Sequence, residues 1–378
     1  MVTAMIAGVP KETLSGERRV ALIPDLVPKL TSAGLDVVVQ TDAGREAGFR
    51  DETFREKGAR LEPDVLAAAD VVLKVQPPTA AEIGQIKDGA TLIGFLQPYT
   101  NRDGIAALAG RNVTAFAMEF MPRITRAQPM DALSAMSTVA GYKAVLIAAN
   151  RLPKFFPLLM TAAGTISPAR VFVIGAGVAG LQAIGTAKRL GAVIEAYDTR
   201  PAVREQVESL GAKFVELPIE SKDAEAAGGY AKAQSEEFYK RQRELMAARV
   251  AAADVVITTA LVPGKRAPVL VTEEMLQGMR PGSVIVDLAA EQGGNCAATA
   301  PGEEVTRHGV LVCGPLNVPA SLPYHASQMY ARNVTSFLLH LFKGGKLNLD
   351  LEDELTRGPL VTHRGAVVHE ALKSAVER

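Results

Sequence analysis

A glycine-rich turn between a predicted strand and a predicted helix constrains this fold more than any other feature of the sequence. Residues 171–180 read VFVIGAGVAG, so three glycines follow a β-branched run in the spacing G-x-G-x-x-G. The first glycine permits a sharp bend, the second lets backbone approach a pyrophosphate, and the third lets the helix pack closely on the strand. The motif predicts a parallel α/β domain with a dinucleotide-binding turn. The predicted binding residues of this turn are Gly175, Ala176, Gly177, Val178 and Gly180.

An acidic residue stands where a ribose-binding carboxylate is expected. Asp198 lies 18 residues beyond Gly180, at the end of the next predicted strand, Val193–Tyr197. A carboxylate there accepts hydrogen bonds from the adenosine ribose hydroxyls and repels a 2′-phosphate, which favours NAD(H) over NADP(H). Thr199 and Arg200 complete this part of the predicted site, although Arg200 could weaken the preference. The alternative is a glycine-rich turn in a fold that binds no nucleotide.

The segment DVVITTALVPG, residues 254–264, predicts a further strand of the same sheet and its exit loop. Ligands bind at the carboxyl ends of parallel strands, so Thr258 and Leu261 are expected beside the cofactor. A plain exit loop without ligand contact is the alternative at each position.

Strand and helix patterns alternate along the chain, which predicts βαβ units and parallel sheets. The fold class is therefore α/β, with two Rossmann-like domains. The expected strands are Ala4–Gly8, Leu35–Val39, Asp70–Val75, Thr91–Gly94, Val113–Ala117, Val171–Gly175, Val193–Tyr197, Lys213–Glu216, Asp254–Thr258, Ser283–Leu288 and Val310–Cys313. The expected helices between them are Pro24–Ala33, 51–58, 79–86, 102–109 and Val178–Leu190.

Two long helices are predicted to join the domains. Ala132–Arg151 is rich in small residues that allow close packing, and Asp131 before it is a favourable N-cap. Ala326–Phe342 has apolar residues at helical spacing. The tail Leu360–His369 alternates around Arg364-Gly365, which predicts a closing hairpin. The NAD(H)-binding domain is therefore expected to be inserted into a discontinuous first domain, with residues 132–325 between 1–131 and 326–378.

Charge and cysteine content exclude several classes of function. The 41 Lys and Arg balance 41 Asp and Glu, so no general field attracts nucleic acid or an anionic membrane. Two cysteines without a CxxC pair and five histidines without metal-ligand spacing predict neither a metal site nor a disulfide. The most apolar stretch, residues 155–187, is interrupted too often to form a spanning helix of about 20 apolar residues. Sparse thiols and the lack of a secretory segment favour the cytoplasm.

The N-terminal segment GVPKETLSGERRVALIP, residues 8–24, resembles the opening shared by two families. These are the alanine dehydrogenases and the NAD-binding component of proton-translocating transhydrogenase. The resemblance extends through the whole chain. It implies the two-domain fold of those families, in which the second domain binds the nucleotide.

The two families require different chemistry. Arg19 matches the carboxylate-binding arginine of the alanine dehydrogenases, and Lys74, in VVLKVQPP, matches their lysine. Their acid–base histidine falls in GFLQPY, where this chain has Gln97, and a glutamine cannot shuttle a proton. No histidine precedes His308. The amino-acid reaction is therefore expected to be absent, with Arg19 and Lys74 as remnants or as surface or packing groups.

The segment MPRITRAQPMDALS, residues 121–134, resembles a transhydrogenase loop that carries an arginine–glutamine–aspartate constellation. The resemblance implies that Gln128 contacts the nicotinamide ribose and helps to move the dihydronicotinamide. It implies that Arg123 hydrogen-bonds the carboxamide, while Asp131 and Ser134 order the loop and bind nicotinamide. The alternative is a capped interdomain loop with solvated arginines.

The segment AEAAGGYAKAQSEEFYKRQ, residues 224–242, resembles the mobile loop of the transhydrogenases. The resemblance implies that Tyr230 closes over bound nucleotide and that Gly228-Gly229 gives the hinge its freedom. Gly229 and Gln242 are included in the predicted nucleotide contacts. An ordinary exposed loop is the alternative.

Membership in the transhydrogenase family implies an enzyme that passes a hydride from bound NADH to NADP⁺ on a partner subunit. The chain has one glycine fingerprint and no expected spanning helix, so an NADP(H)-binding subunit and a membrane-spanning, proton-translocating subunit are the implied partners. The resemblance also implies a homodimer at the inner face of the cytoplasmic membrane, without direct membrane insertion. The alternatives are an amino-acid dehydrogenase of the alanine dehydrogenase type and a non-catalytic NAD-binding subunit.

Overall fold

The chain folds as two compact units. The computed structural model describes residues 4–217, 235–262 and 264–376. One unit consists of Met1–Met136 together with Pro319–Arg378, and the other is Ser137–Val318. The predicted boundaries, 131/132 and 325/326, lie a few residues from these.

The strands follow the alternation expected from the sequence. In the first unit before the insertion they are β1 (Ile6–Val9), β2 (Asp36–Gln40), β3 (Arg60–Glu62), β4 (Val71–Leu73), β5 (Thr91–Gly94) and β6 (Thr114–Ala117). In the second unit they are β7 (Leu159–Thr161), β8 (Gly164–Ile166), β9 (Arg170–Ile174), β10 (Val193–Tyr197), β11 (Lys213–Phe214), β12 (Val255–Thr258), β13 (Val284–Asp287), β14 (Glu304–Arg307) and β15 (Val310–Cys313). The return segment adds β16 (Phe342–Lys343), β17 (Lys346–Leu347), β18 (Leu360–His363) and β19 (Ala366–Val367).

The helices lie between these strands. They are α1 (Val27–Ser32), α2 (Asp51–Glu56), α3 (Ala80–Gln85), α4 (Arg102–Gly110), α5 (Ala132–Arg151), α6 (Val178–Arg189), α7 (Arg204–Ser209), α8 (Glu236–Ala252), α9 (Glu273–Gly278), α10 (Pro323–Leu341), α11 (Glu354–Arg357) and α12 (Glu370–Val376). A six-residue 3₁₀ segment, Thr125–Met130, precedes α5.

The first unit is built on an eight-stranded sheet in the order β19-β18-β6-β5-β4-β1-β2-β3. The pairs from β6 across to β3 are parallel, whereas β18 pairs antiparallel with β6 and β19. Strands β4, β5 and β6 are buried along their whole length, as expected for parallel strands covered on both faces. The closing hairpin turns at Arg364 and Gly365, whose φ angles are 50° and 76°, so the predicted hairpin is confirmed.

The second unit is a seven-stranded Rossmann-like sheet in the order β11-β10-β9-β12-β13-β15-β14. All its strands are parallel except β14, which pairs antiparallel with β15 at the edge. Alternate residues of β9 point into separate cores on the two faces: Val171 and Val173 pack with one set of helices, Phe172 and Ile174 with the other. The two-sided burial explains why these strands have continuous apolar runs.

Helix α5 begins in the first unit and ends in the second. Asp131 caps it as predicted, since its carboxylate accepts from the Ser134 backbone N–H at 2.9 Å and from the Ser134 hydroxyl at 2.6 Å. The small residues serve close packing: a Cβ at Gly141 would collide with the carbonyl oxygen of Ala179 on α6.

Among the described residues, helix α5 is long and apolar enough to cross a membrane, judged by its length and composition alone. The sequence had pointed to residues 155–187 as the most apolar stretch instead. Ala144, Val145 and Ala148 of this helix are fully buried in the core of the second unit. Core packing therefore accounts for part of its apolar composition, since 39% of the apolar window is buried.

Several elements differ from the expectations or were not predicted. The helix expected over Pro24–Ala33 is a 3₁₀ turn, Pro24–Leu26, followed by α1, because Pro28 is compatible only with the first turn of a helix. The strands β3, β7, β8, β14, β16 and β17 were missed. Most of their residues are exposed, so they lack the apolar alternation that predicts a strand.

Candidate dinucleotide-binding site

The glycine turn of the second unit has the backbone conformation that its sequence predicts. Gly175 follows β9 with a φ of 96°, and its N–H donates to the Tyr197 carbonyl oxygen at 2.8 Å. A Cβ at Gly175 would lie 2.5 Å from the Thr259 hydroxyl. Only glycine combines this positive φ with so close a neighbour.

The other two glycines of the motif have distinct surroundings. A Cβ at Gly180 would collide with the carbonyl oxygen of Gly175, so this glycine is required for packing α6 against the turn. A Cβ at Gly177 would meet only the Arg200 Nη2 atom, at 3.9 Å. Open space therefore lies beside Gly177, at the N-terminus of α6, where helix N–H groups favour anions.

Asp198 closes the turn from the end of β10. This residue is 8% exposed, and its Oδ2 atom accepts from the Ala176 N–H at 2.7 Å. Arg200 donates to Oδ1 from its backbone N and from Nε, each at 2.9 Å, and to Oδ2 from Nη2 at 2.8 Å. Thr199 connects the two residues in a bend. The Arg200 guanidinium therefore neutralises the carboxylate predicted to bind ribose.

The loop that follows β12 is held by a buried polar network that the sequence did not predict. Asn295 accepts from the Ala260 N–H at 2.9 Å and donates to the Ala260 carbonyl at 2.9 Å. Asp287 is fully buried and accepts from the Thr258 hydroxyl at 2.9 Å and from the Asn295 N–H at 2.6 Å. Leu261 is half-buried on the loop that this network fixes. An aspartate ending an apolar strand was the only sequence signal.

Gln242 lies on α8 beside Tyr197, the residue that precedes Asp198. Gln242 is 1% exposed and hydrogen-bonds the Tyr197 side chain. Burial raises the pKa of Tyr197 to about 12. Gly229 and Tyr230 lie outside the described residues. The structure thus brings the other predicted nucleotide residues of the second unit to the carboxyl ends of β9, β10 and β12, with Gln242 behind them.

The loop that resembles the transhydrogenase constellation lies in the first unit. Arg123 and Gln128 are exposed, and Gln128 belongs to the 3₁₀ segment Thr125–Met130. Asp131 and Ser134 are half-buried and bonded to each other at the start of α5. The structure therefore presents two polar side chains on a turn that ends in a capped helix. Their roles in binding nicotinamide stay predictions.

Arg19 and Lys74 are buried, so their interpretation as surface groups is wrong. Lys74 is 1% exposed, and its Nζ atom lies 3.0 Å from Glu82 Oε1 and 3.3 Å from Glu12 Oε2. Arg19 is 3% exposed, and its Nη2 atom lies 2.6 Å from Glu17 Oε2. Buried charged groups require such partners. A substrate carboxylate would have to compete with Glu17 for Arg19.

Gln97 follows β5 in a turn with a φ of 51°. Its backbone N–H donates to Glu119 Oε1 at 2.7 Å, and the Leu96 N–H donates to the same oxygen at 2.9 Å. Burial raises the pKa of Glu119 to about 7. The sequence did not predict a carboxyl that titrates near neutrality here. Because its carboxylate accepts hydrogen bonds from the backbone N–H groups of Leu96 and Gln97, Glu119 stabilises this turn.

Among residues 4–217, 235–262 and 264–376, no group of three or more His, Cys, Asp and Glu side chains is placed to hold a metal ion. Cys296 and Cys313 are both buried, unpaired thiols. Burial raises the pKa of each thiol to about 11, so neither is a reactive thiolate at neutral pH.

Comparison with known proteins gives matches along nearly the whole chain. The family model described as alanine dehydrogenase/PNT, N-terminal domain, matches residues 8–140, and the corresponding C-terminal domain model matches residues 144–370. The chain is 51% identical over 379 residues to an NAD(P) transhydrogenase subunit alpha polypeptide of Rhodospirillum rubrum, covering 97% of this chain and 99% of the relative. It is 32% identical over 385 residues to the alanine dehydrogenase of Bacillus subtilis (strain 168), covering 97% and 94%.

A solved structure also matches nearly the whole chain. The crystal structure of transhydrogenase from Sinorhizobium meliloti matches with a TM-score of 0.87 at 46% identity, and the match covers 96% of this chain and 100% of that one. The α/β fold class predicted from the sequence is confirmed by this likeness. The chain belongs to the alanine dehydrogenase/PNT family.

Proposed function

We propose that this chain is the NAD(H)-binding component of a proton-translocating transhydrogenase. It would bind NADH and present it for hydride transfer to NADP⁺ on a partner subunit. The observation that carries the proposal is the turn Gly175–Gly180 with Asp198 at its side, in a chain that is 51% identical to a transhydrogenase subunit over nearly all its length. An alanine dehydrogenase relative is more distant, at 32% identity.

The residues of the second unit fit a dinucleotide. The twelve-residue helix α6 offers backbone N–H groups at its N-terminus, and the open space beside Gly177 would let a pyrophosphate approach the backbone. A carboxylate has about four lone-pair sites, and all four on Asp198 already accept hydrogen bonds from Ala176 and Arg200. The Arg200 side chain would therefore have to release Asp198 when ribose hydroxyls bind. Leu261 and Gln242 would complete the pocket walls.

The proposed reaction relies on position rather than on proton transfer. Bound NADH supplies a hydride from its nicotinamide C4, and neither nicotinamide ring gains or loses a proton when the hydride passes directly to another one. The chain must hold the donor ring in a reactive geometry and keep water away from it. Hydrogen-bond donors that do not change their protonation state are sufficient for this task. The neutral amide of Gln128 and the permanently charged guanidinium of Arg123 are donors of this kind. Asp131 and Ser134 would fix the turn that carries them.

The proposal includes partners. An NADP(H)-binding subunit would hold the acceptor, and a membrane-spanning subunit would couple the transfer to proton translocation. Such a complex would hold this chain at the inner face of the cytoplasmic membrane. The R. rubrum relative is named as one piece of a divided subunit alpha, which supports an assembly of several polypeptides.

A homodimer also belongs to the proposal, and the hairpin β7–β8 supports it. Leu158, Met160 and Ile166 on or beside this hairpin are 52%, 80% and 40% exposed. A two-stranded hairpin is marginally stable alone, and a cluster of exposed apolar residues marks a contact surface. A second copy of the chain would cover it.

Met160→Asp is expected to weaken the dimer by at least about tenfold, because a charge would then be buried in an apolar contact. Sedimentation of the variant at micromolar concentration should show monomers where the unmodified chain shows dimers. Leu351→Asp is the matched control, since Leu351 is 42% exposed in the first unit. An unmodified chain that sediments as a monomer, or a Met160→Asp variant that stays dimeric, would count against this surface.

The function is tested by reconstitution with an NADP(H)-binding transhydrogenase component. We expect NADPH-dependent reduction of an NAD analogue by the mixture and none by either component alone. We also expect no NADH formation from NAD⁺ and L-alanine by this chain. Steady NADH formation from alanine would instead assign an amino-acid dehydrogenase. Tight NADH binding without any hydride exchange would assign a non-catalytic subunit.

A further inference from the structure

Helix α10 holds the turn that carries Gln128. Asn333 on this helix donates from Nδ2 to the Pro129 carbonyl oxygen at 2.9 Å, and Asn333 is only 8% exposed. Pro129 follows Gln128 directly, and its ring fixes its own φ angle. The backbone on the C-terminal side of Gln128 is therefore fixed by a ring and by a shielded hydrogen bond.

A second contact holds the same turn on the N-terminal side of Gln128. The Arg126 Nη2 atom lies 3.1 Å from Asp353 Oδ1 and 3.6 Å from Glu354 Oε1. His340 of α10 in turn lies 3.2 Å from Asp353 through its Nε2 atom. The Arg126 side chain is 61% exposed, so this ion pair is screened by solvent and should stabilise the turn less than Asn333 does.

The Oδ1 atom of the Asn333 amide indicates that this residue has a role other than stabilising the fold. Among the described residues, no hydrogen-bond partner meets the buried Oδ1 atom of Asn333. A buried acceptor without a partner costs folding free energy, and an apolar residue of similar size would avoid that cost. The amide therefore contributes less net stability than a fully paired amide would, and its clear effect is to fix the Pro129 carbonyl.

We propose that Asn333 is a positioning residue for hydride transfer, which acts by fixing the backbone turn from which Gln128 reaches its ligand. The proposal rests on the proposed function. Gln128 is exposed, so the position of its backbone sets the region that its amide can reach. A reactive geometry tolerates little displacement, and an error of about 1 Å can cost a factor of about 100 in rate.

The test compares Asn333→Leu with Thr335→Val. Leucine keeps the packing volume and removes the donor. Thr335 lies on the same helix, is fully buried, and has a hydroxyl with no partner among the described residues, so valine should change little. Arg126→Gln is the second variant, because an exposed site tolerates substitution and the variant should fold.

For Asn333→Leu we expect single-turnover hydride transfer to the partner's NADP⁺ to slow about 10- to 100-fold. The NADH dissociation constant should stay within about twofold of the unmodified value. Amide hydrogen exchange over residues 125–130 should be faster, whereas Thr335→Val should match the unmodified chain in all three measurements. Arg126→Gln should slow the transfer by a few-fold.

Three outcomes would overturn the inference, and they can be told apart. An unmodified chain that binds NADH but transfers no hydride to the partner would overturn the proposed function and the positioning role with it. An unmodified chain that transfers hydride, beside an Asn333→Leu variant with the same rate, would overturn the positioning role alone. A proportional loss of transfer and NADH affinity would also overturn it, because a general structural defect predicts that pattern.

Discussion

Gly180→Ala is expected to destabilise the second unit and to weaken NADH binding, whereas Gly177→Ala should strongly weaken NADH binding without destabilising the fold. A methyl group at position 180 would collide with the carbonyl oxygen of Gly175, and the backbone offers no flexible side chain that could yield. Overpacking of this kind costs roughly 3 kcal/mol of unfolding free energy. A methyl group at position 177 meets only Arg200 Nη2, at 3.9 Å, so it should leave stability nearly unchanged.

The two variants separate packing from ligand contact. In Gly177→Ala the added methyl would occupy the space through which the pyrophosphate approaches the backbone, and we expect NADH affinity to fall by about 100-fold. Calorimetric titration gives the affinity, and denaturant unfolding gives the stability. Gly185→Ala on the same helix is the matched control, because its nearest neighbour is the flexible Arg189 side chain at 3.5 Å. Unchanged NADH affinity in Gly177→Ala would remove the assigned role of this turn.

Gln128→Asn is expected to slow hydride transfer about 10- to 100-fold while NADH affinity changes by about twofold or less. Asparagine keeps the amide but shortens its reach by one methylene group. The side chain is exposed and outside the cores of the molecule, so folding should be unaffected. Single-turnover transfer in the presence of the NADP(H)-binding partner, together with NADH titration, measures the two effects.

Gln85→Asn provides the control for this substitution, since Gln85 is exposed on α3 of the same unit. It should change neither the transfer rate nor NADH affinity. Equal losses of rate and affinity in Gln128→Asn would mean that the side chain binds NADH without any special role in the transfer. No loss of either would mean that the turn has been assigned the wrong role.

Local sequence patterns were sufficient for those features of the site that depend on neighbours in the chain. The glycine spacing, the β-branched run of β9 and the acid at the end of β10 each follow from backbone geometry over a few residues. The N-cap at Asp131 and the turn at Arg364-Gly365 are local in the same way. Such features can be predicted because few alternative conformations satisfy them.

Contacts between distant residues could not be predicted. Nothing in the sequence indicated that Lys74 would be enclosed by Glu12 and Glu82, because the pairing depends on how strands and loops meet in space. The same holds for the Asn333 bond to Pro129, which joins residues 204 positions apart. Buried polar networks require partners from separate elements, and composition does not specify those partners.

The interpretation of Asp198 also needed the structure. Its place at the end of β10 predicted a ribose-binding carboxylate. The sequence indicated only that the nearby Arg200 could weaken the preference for NAD(H), and it did not predict the contact between the two side chains. The structure shows that the two side chains are paired, so nucleotide binding would involve an exchange of partners at this carboxylate. The preference for NAD(H) over NADP(H) remains a prediction.

The most direct measurement follows the hydrogen itself. NADH deuterated at the transferred C4 position is mixed with this chain, the NADP(H)-binding partner and NADP⁺ in ordinary water, and the isotope content of the NADPH is read by mass spectrometry. Direct transfer from a ring held by this chain predicts that the deuterium is retained in full at C4 of the NADPH. Hydrogen from the solvent at that position would contradict the account, because it would show that the hydrogen passes through an exchangeable group of the protein.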